Sequence, residues 1–184
     1  HNCLDGCLEI ADREGVFLSE KVTTYFPEDH CKIHLLVWNL TEEQHREIQK
    51  LRRNIYELSA YLRKEELVHG VASPLTSING LLTPDHIEKL LLLFRIFDGT
   101  NTSTSPIQQN VFRKIIDRLD AALIEKLAAQ HNLTPAGERP WEKVLFGGSD
   151  DHAGLYMGQA WTGVEKANSP AEFLAALERG EAIT

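Results

Sequence analysis

Apolar positions along this chain switch repeatedly between a two-residue and a three-to-four-residue period, and the switches predict its elements. Leu4, Cys7, Leu8 and Ala11 recur at helical spacing, so Leu4 to Arg13 reads as a helix stopped by Gly15. Val16 to Tyr25 is rich in β-branched and aromatic residues, and Lys32 to Leu40 is a nearly continuous apolar run broken by His34; both read as strands. Thr41 with Gln44 three residues later is the signature of a capping box, and Ile48, Leu51, Ile55, Leu58 and Leu62 form the stripe of one long helix after it.

Leu67 to Ala72 follows as a short apolar strand, and the region of Pro74 and Gly80 is a loop at the end where α/β enzymes place their chemistry. Thr83-Pro84 opens a further helix, and Leu90 to Phe97 is expected to carry the chain into a buried strand. Gln108 to Gln130 is helical by period, with Val111, Ile115, Ile116, Leu119, Leu123 and Leu127 inward. Val144 to Phe146 is a strand that runs into Gly147-Gly148-Ser149-Asp150-Asp151-His152, and Ser169-Pro170-Ala171-Glu172 caps a last helix. Strands alternating with helices imply an α/β fold around a parallel sheet, closed as a distorted barrel or doubly wound; the barrel is the expectation.

Composition narrows the function classes. A chain of 184 residues fits a single domain over 1–184 that hides roughly 70% of its unfolded surface without disulfides. A formal charge of -8 argues against a general binder of nucleic-acid backbones, which needs clustered Lys and Arg. Three cysteines are an odd number in a chain this long, which points to a reducing, cytoplasmic setting. No apolar run approaches the roughly 20 residues that span a bilayer, and the segment from His1 to Asp5 lacks the features of a signal peptide. Nothing in the sequence fixes an oligomeric state.

Four positions carry candidate chemistry. Asp150 and His152, two apart beyond a buried strand, present an oxygen and a nitrogen that can reach one cation on an extended backbone; a solvated turn is the plainer alternative. His34 interrupts a strand interior and needs a partner there, whether a metal or the backbone. Glu20, near the end of the preceding strand, is the carboxylate placed to share a cation with it. Cys3, Cys7 and Cys31 offer a structural zinc site with His34, against the ordinary burial of free cysteines. His69 opens its strand either as a further group near such a cation site or, more plainly, as a satisfied core or edge histidine, while His30, His45, His86 and His131 fall in polar or helical surface contexts.

These residues resemble the PHP family of metal-dependent phosphoesterases. His1-Asn2-Cys3-Leu4-Asp5-Gly6 is similar to the His that closes that family's Thr-Asp-His motif and to the start of the helix beyond it. Ser19-Glu20-Lys21-Val22-Thr23-Thr24 is similar to the strand with its metal-bridging Glu, which falls on Glu20 or equally on Lys21. Lys32-Ile33-His34-Leu35-Leu36 resembles the strand with a metal-binding His, and Ser149-Asp150-Asp151-His152 the closing Ser-Asp-x-His motif. The resemblance implies a distorted seven-stranded (β/α)7 barrel, its first strand and His-x-His motif lying upstream of His1. It further implies up to three divalent ions (Zn, Mn or Fe) held by His1, Glu20, His34, Asp150 and His152, with Asp150 the candidate catalytic carboxylate. A metal-bound hydroxide would then hydrolyse a small-molecule or nucleotide phosphoester. The family usually has a ligand His at the position of Ser73, so the resemblance equally admits a module that keeps the fold without the full cluster and acts by binding.

Overall fold

A computed structural model describes residues 1–184. Strands β1 (Ser19–Tyr25), β2 (Lys32–Trp38), β3 (His69–Ala72), β4 (Ile96–Asn101) and β5 (Val144–Gly148) form one five-stranded sheet in the order β1-β2-β3-β4-β5. β1 and β2 pair antiparallel, as do β2 and β3, whereas β3, β4 and β5 run parallel. The sheet is mixed and open, which corrects the expected (β/α)7 barrel. The reason lies in residues 26–31, a short turn that returns the chain antiparallel where a barrel needs a helical crossover. A separate two-stranded ribbon joins β6 (Gly163–Val164) to β7 (Ala182–Ile183).

Side chains alternate across the sheet and divide the core in two. Val22, Ile33, Leu35, Val37, Val71 and Phe97 meet the helices α2 (Glu42–Leu51), α3 (Ile55–Lys64), α4 (Pro84–Leu93) and α5 (Pro106–Ile116) in the main apolar cluster. On the other face Ile96, Val144 and Phe146 pack against Leu174 and Leu177 of α7 (Pro170–Arg179), with Trp38 edge-on to Phe146 at 5.2 Å. Helix α6 (Ala121–His131) lies outside α4, where Ile124 and Leu127 cover Leu92.

Caps explain where the helices differ from their apolar stripes. The long helix expected after Thr41 is two, because the Asn54 side chain accepts from Tyr56 N at 3.0 Å and starts α3 anew. Likewise the Asp120 carboxylate accepts from Leu123 N at 2.8 Å and separates α6 from α5. Leu90 to Leu93 complete α4, so the strand expected from Leu90 begins at Ile96. Helix α1 covers only Asp5–Leu8: beyond buried Leu4 its apolar residues Leu8 and Ile10 are exposed, and a short helix without a packed face does not propagate. The expected caps at Thr41 and Ser169 are both present.

Below the parallel strands, Lys143 Nζ donates to the carbonyls of Leu91 (2.5 Å) and Phe94 (2.9 Å), closing the C-terminal end of α4. Burial, with Arg95 adding repulsion, pushes its ammonium down to about 7. The unfolded chain therefore binds more protons than the folded one between about pH 7 and the ordinary lysine range, so stability rises with pH across that window. Urea unfolding is expected to show the wild type gaining on the order of 1–2 kcal/mol relative to Lys143→Met from pH 7 to pH 9. Parallel pH profiles would contradict this.

Candidate functional site

The strand ends gather polar residues at one edge of the sheet. His34 pairs across to Thr23 on one side and to Ala72 on the other, and β4 and β5 end beside them at Asn101 and Gly148. His1 reaches this edge because Asn2 is stitched to β1: its backbone N donates to Lys21 O at 3.0 Å, and its side-chain oxygen accepts from Thr23 N at 2.8 Å. The His1 and His34 rings lie 4.7 Å apart between centroids, and His1 and His152 6.1 Å. Three of the expected residues thus converge.

Asp150 joins them, though not through an extended backbone. Its φ of 46° makes a turn, held where Ser103 Oγ donates to Asp150 O at 3.0 Å and Thr102 Oγ1 to Ser149 O. The Asp150 carbonyl also accepts from His152 Nδ1 at 2.9 Å, which leaves His152 Nε2 as the free ring nitrogen. Asp151 points away and accepts from Ala153 N and Tyr156 N, organising the loop beyond it.

Glu20 is not brought to the site. Its neighbours Val22 and Thr24 are buried on the helix-covered face, and Glu20 shares that side: its Oε2 lies 3.0 Å from His45 Nδ1 and 3.3 Å from Gln49 Nε2, both on α2. Burial raises its proton affinity, and the hydrogen bond from His45 opposes that. The residue on the His34 face is Lys21, whose Nζ contacts Asp150 Oδ1 at 2.9 Å. Strand alternation is the physical reason for the correction. It also gives His45, expected on the surface, a structural partner.

Burial and the nearby Lys21 ammonium, against the pull of Asp150, lower His34 to about 4, so its imidazole is neutral at physiological pH. Ser73 ends β3 at a φ of 46°, and its N donates to Asp98 Oδ2 at 3.2 Å. Asp98 also accepts from Asn101 Nδ2 at 2.7 Å, while its Oδ1 is buried without a partner. Burial raises Asp98, the Asn101 hydrogen bond opposes it, and the Asp150 charge adds to the rise. In sequence, Asp98 to Asn101 reads as a loop that either borders a substrate or, more plainly, is a turn, since polar residues at a strand end look like loop before their partners are known.

The residues present do not fit a cluster of three ions. A lysine ammonium stands against Asp150, the only carboxylate on β1 lies across the sheet, and no three His, Cys, Asp or Glu side chains are arranged to hold a metal ion. The cysteine set also stays apart: Cys31 is buried in the main core and Cys3 is exposed. His69 sits at the far end of β3, bonded through Nδ1 to Leu67 O at 2.6 Å.

Glu20→Ala is expected to lower unfolding stability by about 1–3 kcal/mol, because His45 and Gln49 lose their buried acceptor. Urea unfolding checks this, and an unchanged midpoint would show that the buried pairing contributes nothing.

Comparison with known proteins bears on the C-terminal part. Residues 139–182, which include β5, the Ser149-to-His152 turn and α7, match the family model described as PHP-associated. No curated protein matches the chain. Over residues 139–182, which carry the Ser149-Asp150-Asp151-His152 turn, the chain is similar to the PHP-associated family.

Proposed function

We propose that this chain is a PHP-like module that binds a phosphoester anion at its strand ends through Lys21, His1, His34 and His152, in place of a multi-ion cluster. The observation that carries the reading is the 2.9 Å contact between Lys21 Nζ and Asp150 Oδ1. An ammonium there supplies the positive charge that a bridging cation would supply, and it repels a second cation beside it. Both partners are largely but not fully shielded, with side-chain exposures of 16% and 24%, so an incoming phosphate can reach Lys21. His152 Nε2 and the neutral His34 are open to share a proton with a phosphate oxygen.

Metal-dependent phosphoester hydrolysis is the second reading, favoured by the approach of the His34 and His152 imidazoles to that of His1. The two differ in a titration of the chain with inorganic phosphate and with manganese or zinc, followed by calorimetry and elemental analysis. The binding reading expects phosphate to bind without metal, with affinity about tenfold or more weaker in Lys21→Met. Lys21→Glu should lose phosphate and gain a bound divalent ion. Two or more ions per wild-type chain, with aryl phosphate turnover that Asp150→Asn abolishes, would establish the hydrolase instead.

A further inference from the structure

At the opposite end of the sheet from Asp150, where β3 and β4 begin, lies a cleft of about 150 Å³ lined by Arg63, His69, Leu93, Arg95, Gly137 and Glu178. A water needs about 10–15 Å³ of such space, so a group of several non-hydrogen atoms fits. Helices α3, α4 and α7 all end here, and the last carbonyls of a helix need donors from outside it. Arg63 Nη1 donates to Leu93 O at 3.1 Å, closing α4, and Arg95 Nη1 donates to Glu178 O in the last turn of α7. Both accepting residues line the cleft, so the two guanidinium groups are pinned at its wall. The approach is open at Gly137, where nothing lies within 4 Å of the place a Cβ would take.

Capping uses one N–H of each guanidinium, and an arginine carries five. Neither Arg63 nor Arg95 makes a further hydrogen bond or an ion pair, whereas the nearby Arg139 meets Glu142 at 2.7 Å and Arg179 meets Glu181 at 2.6 Å. Their charge acts on the groups around them: beyond the effect of burial, Arg63 helps to hold His69 down at about 4, and Arg95 helps to lower Lys143. Glu178 is the one carboxylate in the lining, and it forms no ion pair with either arginine. Two cationic groups thus face one anionic group, an excess of positive charge in a chain whose formal charge is -8. We propose that this cleft is a second ligand site, in which the guanidinium groups of Arg63 and Arg95 together hold a small oxyanion, the phosphate or carboxylate group of a small molecule. A planar fork with free N–H groups matches such an anion, and the same two residues are held in place by the carbonyls they cap. The site shares no residue with the strand ends, so it stands apart from the anion-binding reading above.

The test titrates inorganic phosphate and, separately, succinate into the full chain at constant ionic strength and follows backbone amide shifts by NMR. Saturable shifts at Arg95, Ile96 and Gly137 are expected with at least one of the two anions, and they should persist with the same affinity in Lys21→Met, which separates this site from the strand ends. A response to phosphate alone assigns a phosphoester ligand and a response to succinate alone a carboxylate, and either supports the site. Arg95→Met is expected to weaken the binding about tenfold or more, the loss of hydrogen bonds to a charged acceptor. Glu178→Gln, which removes the competing negative charge and touches no cap, should tighten it about threefold or more. No shift at these amides with either anion in the wild type would leave the arginines as caps alone and overturn the inference, whether or not any variant folds. Equal shifts from chloride would show general screening and overturn it as well. So would shifts whose midpoint neither Arg95→Met nor Glu178→Gln moves.

Discussion

A β-strand sends adjacent side chains to opposite faces, and at Glu20 and Lys21 that rule sets the character of the whole site. The carboxylate goes down under α2, where His45 and Gln49 receive it, and the ammonium goes up beside His34 and Asp150. A shift of one residue in the pairing of β1 with β2 would exchange the two, bury a lysine under α2 and turn Val22 out of the core. The apolar positions of β1 forbid that shift. The charge at the site is therefore fixed by the same alternation that builds the core, and Lys21 cannot be exchanged for a bridging carboxylate by sliding the strand.

The geometry around that pair is held from three separate stretches of chain. Asn2 ties the N-terminal segment along β1 and in doing so occupies an otherwise open strand edge. Ser103 and Thr102, beyond β4, fix the turn at Ser149 and Asp150. Ser73 and Asp98 join β3 to β4 above their last backbone pairs. Most of the side chains that carry chemistry are thus positioned by neighbours far away in sequence.

That distance decides how much is legible in the sequence. The α/β class, most of the strands and the caps at Thr41 and Ser169 come from local pattern, and the structure retains them; the grouping of His34 with His152 comes from the family resemblance, and the structure places each ring near that of His1. Periodicity alone joins α2 to α3 and α5 to α6, since an apolar stripe continues across Asn54 and Asp120 while only a capping hydrogen bond reveals the break. The open sheet is not legible either. Strand content reads the same in a hairpin as in a crossover, and only the shortness of residues 26–31 separates them. Glu20 and Lys21 read as equals because composition does not reveal phase. The burial of Val22 and Thr24 does.

One feature beyond the site limits how this edge can vary. Thr162 Oγ1 donates to Gly147 O at 2.7 Å while accepting from Gly147 N at 2.8 Å, and a Cβ on Gly147 would come within 2.6 Å of the Trp161 carbonyl. The chain leaves β5 at Gly148 and is riveted back onto it at Thr162. Between those points Leu155, Tyr156 and Met157 stand in solvent. The segment behaves as a lasso closed at its knot, so lengthening or rewriting its tip would leave the anchor of Asp150 untouched, whereas any side chain at position 147 would untie it.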